Sequence, residues 1–181
     1  GNLGGAYLGL QILLREKDVA KKSQYSDGVT NDIRDQLKKH QKLVERQIKP
    51  EARKDVIDFL RKKSIKPTSM IDISDGLSSE LQHICKSSNT SICIYEDKIP
   101  VSKESLRFCQ ENSINSTVIA LSGGEDYELL FTIKPSDLDK VLNIPDLSII
   151  GKVLPANKKS TLILSSGEGV DLNSVGWLSL I

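Results

Sequence analysis

The first third of the chain shows apolar residues at helical spacing within a strongly charged background. Leucine and isoleucine residues share one face of a predicted helix over residues 6–16, which follows a glycine-rich opening. Between residues 17 and 66, charges of both signs interleave with isolated aliphatic side chains, a pattern typical of solvated helices. Pro50 ends the first of these helices because proline cannot continue a helix interior. A second helix is predicted over residues 51–63.

The rest of the chain alternates between strand-like and helix-like patterns. The order lacks the strict repetition of βαβ units, so it indicates an α+β layered domain. A turn is predicted over residues 166–169 because serine and glycine cluster there. The predicted strands are 69–73, 91–95, 117–121, 127–133, 148–153 and 161–164, and helices are predicted from Leu77, over 102–112 and over 136–142.

Composition narrows the classes of function. The 181 residues are 38% hydrophobic with a net charge of +1, which gives no global attraction to nucleic acid or to an anionic membrane. The longest apolar runs are far shorter than a bilayer span. Three cysteines without C-x-x-C spacing and only two histidines argue against a zinc site and indicate free thiols. We therefore expect a cytoplasmic protein with neither a nucleic-acid nor a membrane partner.

An aspartate motif, MIDISDGL, spans residues 70–77 at a predicted strand-to-helix junction. Asp72 and Asp75 are three residues apart, with Ser74 between them. Two nearby carboxylates stay ionised at low cost when a cation or hydrogen-bond donors compensate them, and Mg²⁺ accepts ligands of this type. Two structural interpretations remain open: Asp75 could cap the following helix, and Asp72 could lie on the surface of an edge strand.

A second motif, LSGGEDYELLF, spans residues 121–131. Gly123 and Gly124 allow a tight turn or a close backbone approach to a ligand, so both are candidates for backbone contacts. Two acids, Glu125 and Asp126, follow at once and precede an apolar strand. A surface turn that leads into a core strand would explain the same letters.

Familiar catalytic motifs are missing from the sequence. It contains no G-x-x-x-x-G-K-[ST] phosphate loop, no G-x-G-x-x-G dinucleotide motif and no plausible Ser-His-Asp set. If this chain binds phosphates, metal ions held by carboxylates and backbone amides must bind them.

The two motifs, in this order and about fifty residues apart, resemble the second half of the thiamine-monophosphate kinase family. That family belongs to a superfamily with aminoimidazole ribonucleotide synthetase and selenophosphate synthetase. The LSGGEDYELLF motif resembles the kinase branch in particular, whereas the aspartate motif alone fits several relatives. Further similar segments are GNLGGA at residues 1–6, KPEAR at 49–53, IGKV at 150–153 and VGW at 175–177.

The resemblance implies an enzyme of thiamine diphosphate synthesis that transfers a phosphoryl group from ATP to thiamine monophosphate. Mg²⁺ would be required, ATP would be the co-substrate, and no catalytic residue is implied beyond the metal ligands. Carried over by position, the implied roles are Mg²⁺ ligation by Asp72 and Asp75, nucleotide contact by Ser74, and substrate contact by Glu125 and Trp177.

The resemblance also implies a domain organisation. Residues 1–181 correspond to the C-terminal domain of a two-domain kinase, with a glycine-rich opening and helix at 1–16, a charged helical region at 17–66 and a mixed sheet with the ligand motifs at 67–181. The family's N-terminal metal- and ATP-binding domain, which would form a homodimer, is expected to be absent, leaving this chain inactive alone. Alternatives are a superfamily member that acts on a different phosphorylated small molecule, and a non-catalytic ligand-binding domain.

Overall fold

The computed structural model describes residues 2–22 and 27–172. In the described part, seven α-helices surround two β-sheets. The helices are α1 (Gly5–Lys22), α2 (Asp27–Lys39), α3 (Gln41–Ile48), α4 (Lys54–Lys62), α5 (Leu77–Ser88), α6 (Lys103–Glu111) and α7 (Ser116–Ser122). The strands are β1 (Ser69–Asp72), β2 (Thr90–Tyr95), β3 (Leu129–Thr132), β4 (Gly151–Pro155), β5 (Thr161–Ile163) and β6 (Gly169–Asp171), and 3₁₀ turns cover Glu96–Lys98 and Pro135–Lys140.

The two sheets differ in size. Strands β1 and β3 form an antiparallel pair in which Asp72 lies opposite Leu129. The larger sheet has the order β4-β2-β5-β6, with β2 and β5 parallel and the outer pairs antiparallel. A parallel pair needs a crossover connection, and the chain between β2 and β5 supplies it. Helices and mixed strands therefore form an α+β fold, as the sequence pattern predicts.

Helix α5 packs its apolar face on the main core. Leu77 and Leu81 are fully buried there, together with Ile94 of β2 and Leu121 of α7. A second core joins the amino-terminal helices, where Leu8 and Ile12 of α1 meet residues of α3, α6 and α7. The helix predicted over 6–16 is therefore confirmed, and it continues to Lys22.

Two local predictions are wrong. Residues 117–121 form helix α7 instead of a strand, because the Asn115 side chain accepts hydrogen bonds from Thr117 and Val118 N–H at 2.9 and 3.1 Å and caps the helix. The single solvated helix before Pro50 is two helices that meet at His40, whose ring packs edge-on against Phe108. The predicted turn at 166–169 is confirmed except for its last residue, because strand β6 begins at Gly169.

An apolar cavity of about 470 Å³ lies beside strand β3. Core residues of α5 and the segment 146–153 line it, together with the half-buried Arg53 and the buried Glu128. Its lining includes none of the candidate ligand residues of the two sequence motifs. Among the described residues, no helix has both the length and the apolar character that a bilayer span requires.

Helices α1 and α3 approach so closely that Gly9 has no room for a side chain. A Cβ atom there would lie 2.1 Å from the Leu43 carbonyl oxygen. We expect Gly9→Ala to lower the free energy of unfolding by about 1–3 kcal/mol, because this clash exceeds the gain of about 1 kcal/mol in helix propensity. Urea unfolding measures the change.

Gly5→Ala in the same helix is the matched control. Its Cβ would meet no atom closer than 3.6 Å, so stability should stay equal or rise. Equal effects of the two substitutions would contradict the close approach of α1 and α3.

Candidate functional site

In the aspartate motif, the carboxylates of Asp72 and Asp75 lie in solvent, and Ile73 between them is buried. Strand β1 ends at Asp72, which is exposed, and Ile73 then enters the main core. Ser74 is half-buried, and Asp75 is again exposed before helix α5 begins. The alternation of the strand directs Asp72 outward and Ile73 into the core, which anchors the segment, and Asp75 turns outward after the strand has ended.

Two glycines bring the two sequence motifs into backbone contact. Gly76 has a φ of +116°, and a Cβ there would lie 2.7 Å from the Leu121 carbonyl oxygen. Gly124 has a φ of +68°, and its Cβ would lie 2.7 Å from the Ser74 carbonyl oxygen. Any larger residue at either position would force the motifs apart, so both glycines are required by space as well as by conformation.

Backbone hydrogen bonds then join the motifs and continue the β1–β3 ladder. The Glu125 N–H donates to the Ser74 carbonyl at 2.7 Å, and the Tyr127 N–H donates to the Ile73 carbonyl at 2.8 Å. In return, the Ile73 N–H donates to the Glu128 carbonyl at 2.8 Å. The acids of both motifs therefore share one edge of the molecule.

The four residues from Glu125 to Glu128 alternate between solvent and interior. Glu125 is exposed and Tyr127 is half-buried, and the Tyr127 hydroxyl donates to the Glu125 carboxylate at 2.8 Å. This hydrogen bond and the charges of Glu125, Asp72 and Asp75 raise the pKa of Tyr127. The outward side of the turn therefore lies in the combined negative field of three carboxylates.

Asp126 points inward and anchors the amino end of helix α1. Its carboxylate accepts hydrogen bonds from the N–H groups of Gly4 at 2.6 Å and Ala6 at 3.3 Å. A carboxylate at a helix amino terminus satisfies free N–H groups and complements the helix dipole. Burial is the main influence on this group and raises the pKa of Asp126 to about 6, against the opposing effects of these hydrogen bonds and of Arg46.

Glu128 is also buried and pairs with two arginines. Its carboxylate oxygens accept hydrogen bonds from Arg46 at 3.2 Å and from Arg53. Arg46 also donates to the Asp126 carbonyl at 2.8 Å and to the Asn2 carbonyl at 3.2 Å. One guanidinium therefore joins α3, the amino-terminal segment and the acidic turn.

A further buried acid supports the aspartate motif from within helix α5. Glu80 is 2% exposed, and its carboxylate accepts a hydrogen bond from the Asp75 N–H at 3.1 Å. Because this contact reaches back across the start of the helix, it fixes the direction in which the chain leaves Asp75.

The structure brings most of the predicted site residues to one edge. Trp177 lies outside the described residues. The described members of the predicted set are Asp72, Ser74, Asp75, Gly123, Gly124 and Glu125. Sequence reasoning assigned no role to Tyr127 or to the buried charges Asp126, Glu128, Arg46 and Glu80. The letters of GGEDYEL do not separate inward from outward positions, because acids occupy both.

The donor set suits a cation that is shared with a ligand. Within the described part of the chain, no three His, Cys, Asp or Glu side chains are grouped closely enough to hold a metal ion together. Asp72 and Asp75 are exposed carboxylates, and Mg²⁺ commonly binds through one or two carboxylates together with substrate phosphates and water. The residues present therefore fit part of a magnesium site.

Residues 14–163 match the family described as AIR synthase related protein, C-terminal domain. The chain belongs to this family. Among its curated relatives, the thiamine-monophosphate kinase of Aquifex aeolicus (strain VF5) is 31% identical over 153 residues, which are 84% of this chain and 43% of the relative. That of Buchnera aphidicola subsp. Schizaphis graminum (strain Sg) is 32% identical over 169 residues, or 90% of this chain and 46% of the relative.

Solved structures agree with the family assignment. AaThiL complexed with AMPPCP and TMP superposes with a TM-score of 0.68 at 29% identity, covering 94% of this chain and 47% of that chain. The fold is thus the α+β fold of AIR synthase-related C-terminal domains. The chain spans less than half the length of the relatives that it matches.

We expect the ion pairs of Glu128 to stabilise this AIR synthase-related domain. Glu128→Gln should lower the free energy of unfolding by about 1–3 kcal/mol, because the buried carboxylate accepts hydrogen bonds from two half-buried arginines and the neutral amide no longer compensates their charge. Thermal or urea unfolding measures the loss.

Glu111→Gln is the control, since Glu111 pairs with Lys39 and Arg107 on the surface at 3.3 and 3.0 Å. Exposed pairs contribute little, so this variant should unfold almost as the wild type does. A loss for Glu128→Gln no larger than that for Glu111→Gln would contradict the role of the buried pairs.

Asp126 should give the stability a distinctive dependence on pH. Because the pKa of its folded carboxyl is about 6 and the ordinary value is 3.8, the folded state binds the proton more tightly between those values. The free energy of unfolding of the wild type, relative to Asp126→Asn, should therefore fall by up to about 3 kcal/mol between about pH 4 and pH 7. Urea unfolding across this range measures the difference.

Glu96 should change the stability with pH in the opposite direction. Hydrogen bonds from Thr117 and Ser165 lower the pKa of its carboxyl, so its contribution is present above the ordinary value and is lost as the pH falls. Wild-type stability relative to Glu96→Gln should rise with pH. The same trend in both variants would refute the buried, proton-retaining environment of Asp126.

Proposed function

We propose that this chain is the C-terminal part of an enzyme that transfers the γ-phosphoryl group of ATP to thiamine monophosphate and so forms thiamine diphosphate. The observation that carries the proposal is the backbone pairing of Ser74 with Glu125, which sets the Asp72–Asp75 pair beside Glu125 at one edge. The relatives named thiamine-monophosphate kinase and the AaThiL complex with AMPPCP and TMP support the choice of substrates.

The donor and the acceptor of this reaction are both anionic, so charge compensation and alignment are the main requirements. When bound, Mg²⁺ ions would neutralise the phosphate oxygens that approach one another. Asp72 and Asp75 would hold such ions, because their carboxylates are exposed and their backbone is fixed by Ile73 and Glu80. Ser74, half-buried between them, would offer its hydroxyl to the nucleotide.

Glu125 would bind the acceptor substrate, thiamine monophosphate. Thiamine monophosphate carries a positively charged thiazolium ring as well as its phosphate, and an exposed carboxylate attracts that cation. Glu125 follows Gly123 and Gly124, and we propose that the backbone of this segment contacts the substrate, although the protein itself fills the space that side chains would take there. We also propose that Trp177 stacks on the flat ring system, as the resemblance implies.

The remaining parts of the proposal concern the whole protein. The chain spans less than half the length of these relatives, so we propose that an N-terminal half adds further metal- and ATP-binding residues and a homodimer interface. Three cysteines without disulfides, Cys85, Cys93 and Cys109, support a reducing, cytoplasmic location.

The test uses the longer protein, in which this chain is joined to the N-terminal half that its relatives have. With ATP, Mg²⁺ and thiamine monophosphate, the wild type should form thiamine diphosphate, measured by chromatography. Asp72→Asn should lower the rate on the order of 100-fold, because one carboxylate of the metal-binding pair loses its charge. Glu125→Gln should mainly raise KM for thiamine monophosphate.

Asp58→Asn is the matched control, since Asp58 is an exposed aspartate on α4 at 3.9 Å from Arg61. It should react at the wild-type rate. A folded, nucleotide-binding wild type that makes no thiamine diphosphate would refute the proposal and favour a relative that acts on another phosphorylated small molecule.

A further inference from the structure

Tyr127 occupies the centre of the candidate site, although none of the sequence-derived roles includes it. Its N–H donates to the Ile73 carbonyl, so the residue lies opposite the aspartate motif between Asp72 and Asp75. Its hydroxyl reaches Glu125 at 2.8 Å. Tyr127 therefore touches both motifs, one through its backbone and the other through its side chain.

The backbone at this position is strained. Tyr127 has a φ of +50° and Glu125 a φ of +60°, in the left-handed region that residues with a Cβ rarely adopt. Such conformations cost about 1–3 kcal/mol each and persist only where the surroundings hold them. Here the hydrogen bonds to Ile73 and Ser74 hold the turn. Glu125 and Tyr127, the two strained residues, are also the two whose side chains form a hydrogen bond at the surface.

The hydrogen bond between these side chains has a defined direction. An ionised carboxylate can only accept, so the phenol must donate. The Glu125 hydrogen bond, together with the charges of Glu125, Asp72 and Asp75, raises the pKa of Tyr127. The phenol therefore keeps its proton at neutral pH and remains a permanent donor to one Glu125 oxygen.

This donor restricts how Glu125 can move. An exposed glutamate has several free torsions, and each must become ordered when the carboxylate binds a ligand. One oxygen held by Tyr127 orders the side chain in advance and leaves the other oxygen free for a cation.

We propose that Tyr127 is a positioning residue that holds the Glu125 carboxylate for the positively charged ring of the acceptor substrate. The inference rests on the proposed function and adds a determinant of affinity for thiamine monophosphate. Tyr127 acts through Glu125 and contributes nothing to nucleotide binding, so its loss changes only one of the two substrate affinities.

The decisive variant is Tyr127→Phe, which keeps the ring and removes only the donor. In the full-length protein, KM for thiamine monophosphate should rise about five- to tenfold, the loss of one hydrogen bond to a charged group. KM for ATP and kcat should stay near their wild-type values. Tyr95→Phe, which removes a hydroxyl from a strand outside the site, should leave all three constants unchanged.

A double variant tests whether Tyr127 acts through Glu125. If it does, Tyr127→Phe combined with Glu125→Gln should bind thiamine monophosphate no more weakly than Glu125→Gln alone. Independent, fully additive losses would overturn the positioning role. Equal rises of both KM values would do the same, because a general distortion of the turn would affect ATP as well.

A spectroscopic measurement separates this inference from the proposed reaction. In the full-length protein labelled with ¹³Cζ-tyrosine, the Tyr127 signal, assigned with Tyr127→Phe, should titrate above the ordinary tyrosine pKa. It should titrate lower in Glu125→Gln. If the pKa of Tyr127 is the same in Glu125→Gln as in the wild type, the contact between the two side chains is refuted. Wild-type protein that forms no product would refute the proposed function, whereas product with an unchanged KM in Tyr127→Phe would refute the inference alone.

Discussion

The backbone pairing between Ile73–Ser74 and the Glu125–Glu128 turn is the interaction on which the candidate site depends. It extends the β1–β3 ladder past the end of both strands, so the register of an ordinary sheet fixes the separation of the two acidic motifs. The approach is close enough that the carbonyl of Ser74 fills the space where a side chain on Gly124 would stand. Such a site requires glycines, which leave room for the close backbone contact, as much as it requires the side chains of the acids.

Two buried acids, Asp126 and Glu128, stabilise this backbone pairing from the interior of the domain. Charged groups taken out of water are tolerated only when partners and hydrogen bonds compensate them. Asp126 finds its partners in the backbone of α1, and Glu128 finds them in Arg46 and Arg53. The turn therefore rests on helices from the charged amino-terminal region. A region whose composition indicates only solvated helices thus contributes the support for a site some eighty residues away.

The sequence predicts the elements whose pattern is local and misses the features that depend on distant contacts. Strand β1, strand β2 and helix α5 follow from periodicity, and the two motifs identify the acids that meet at the site. The stretch from Thr117 to Leu121 has a strand-like composition, yet the cap at Asn115 and burial against α5 make it helical. The sequence also does not show which acids face inward. Their directions depend on the positive φ values of Glu125 and Tyr127, and backbone hydrogen bonds to Ser74 and Ile73 hold these values.

Four consecutive polar residues thus divide into two pairs. Asp126 and Glu128 tie the turn to the body of the domain, whereas Glu125 and Tyr127 face outward, because a period of two continues through the strained turn that enters the strand. The outward carboxylates do not form a closed metal site among the described residues. A rigid surface of incompletely compensated negative charge therefore remains, and this is the arrangement that cations carried by a second domain or by a nucleotide can complete. For the proposed phosphoryl transfer between two anions, the fixed placement of these carboxylates matters more than their number, since the reaction depends on alignment that a mobile carboxylate cannot provide.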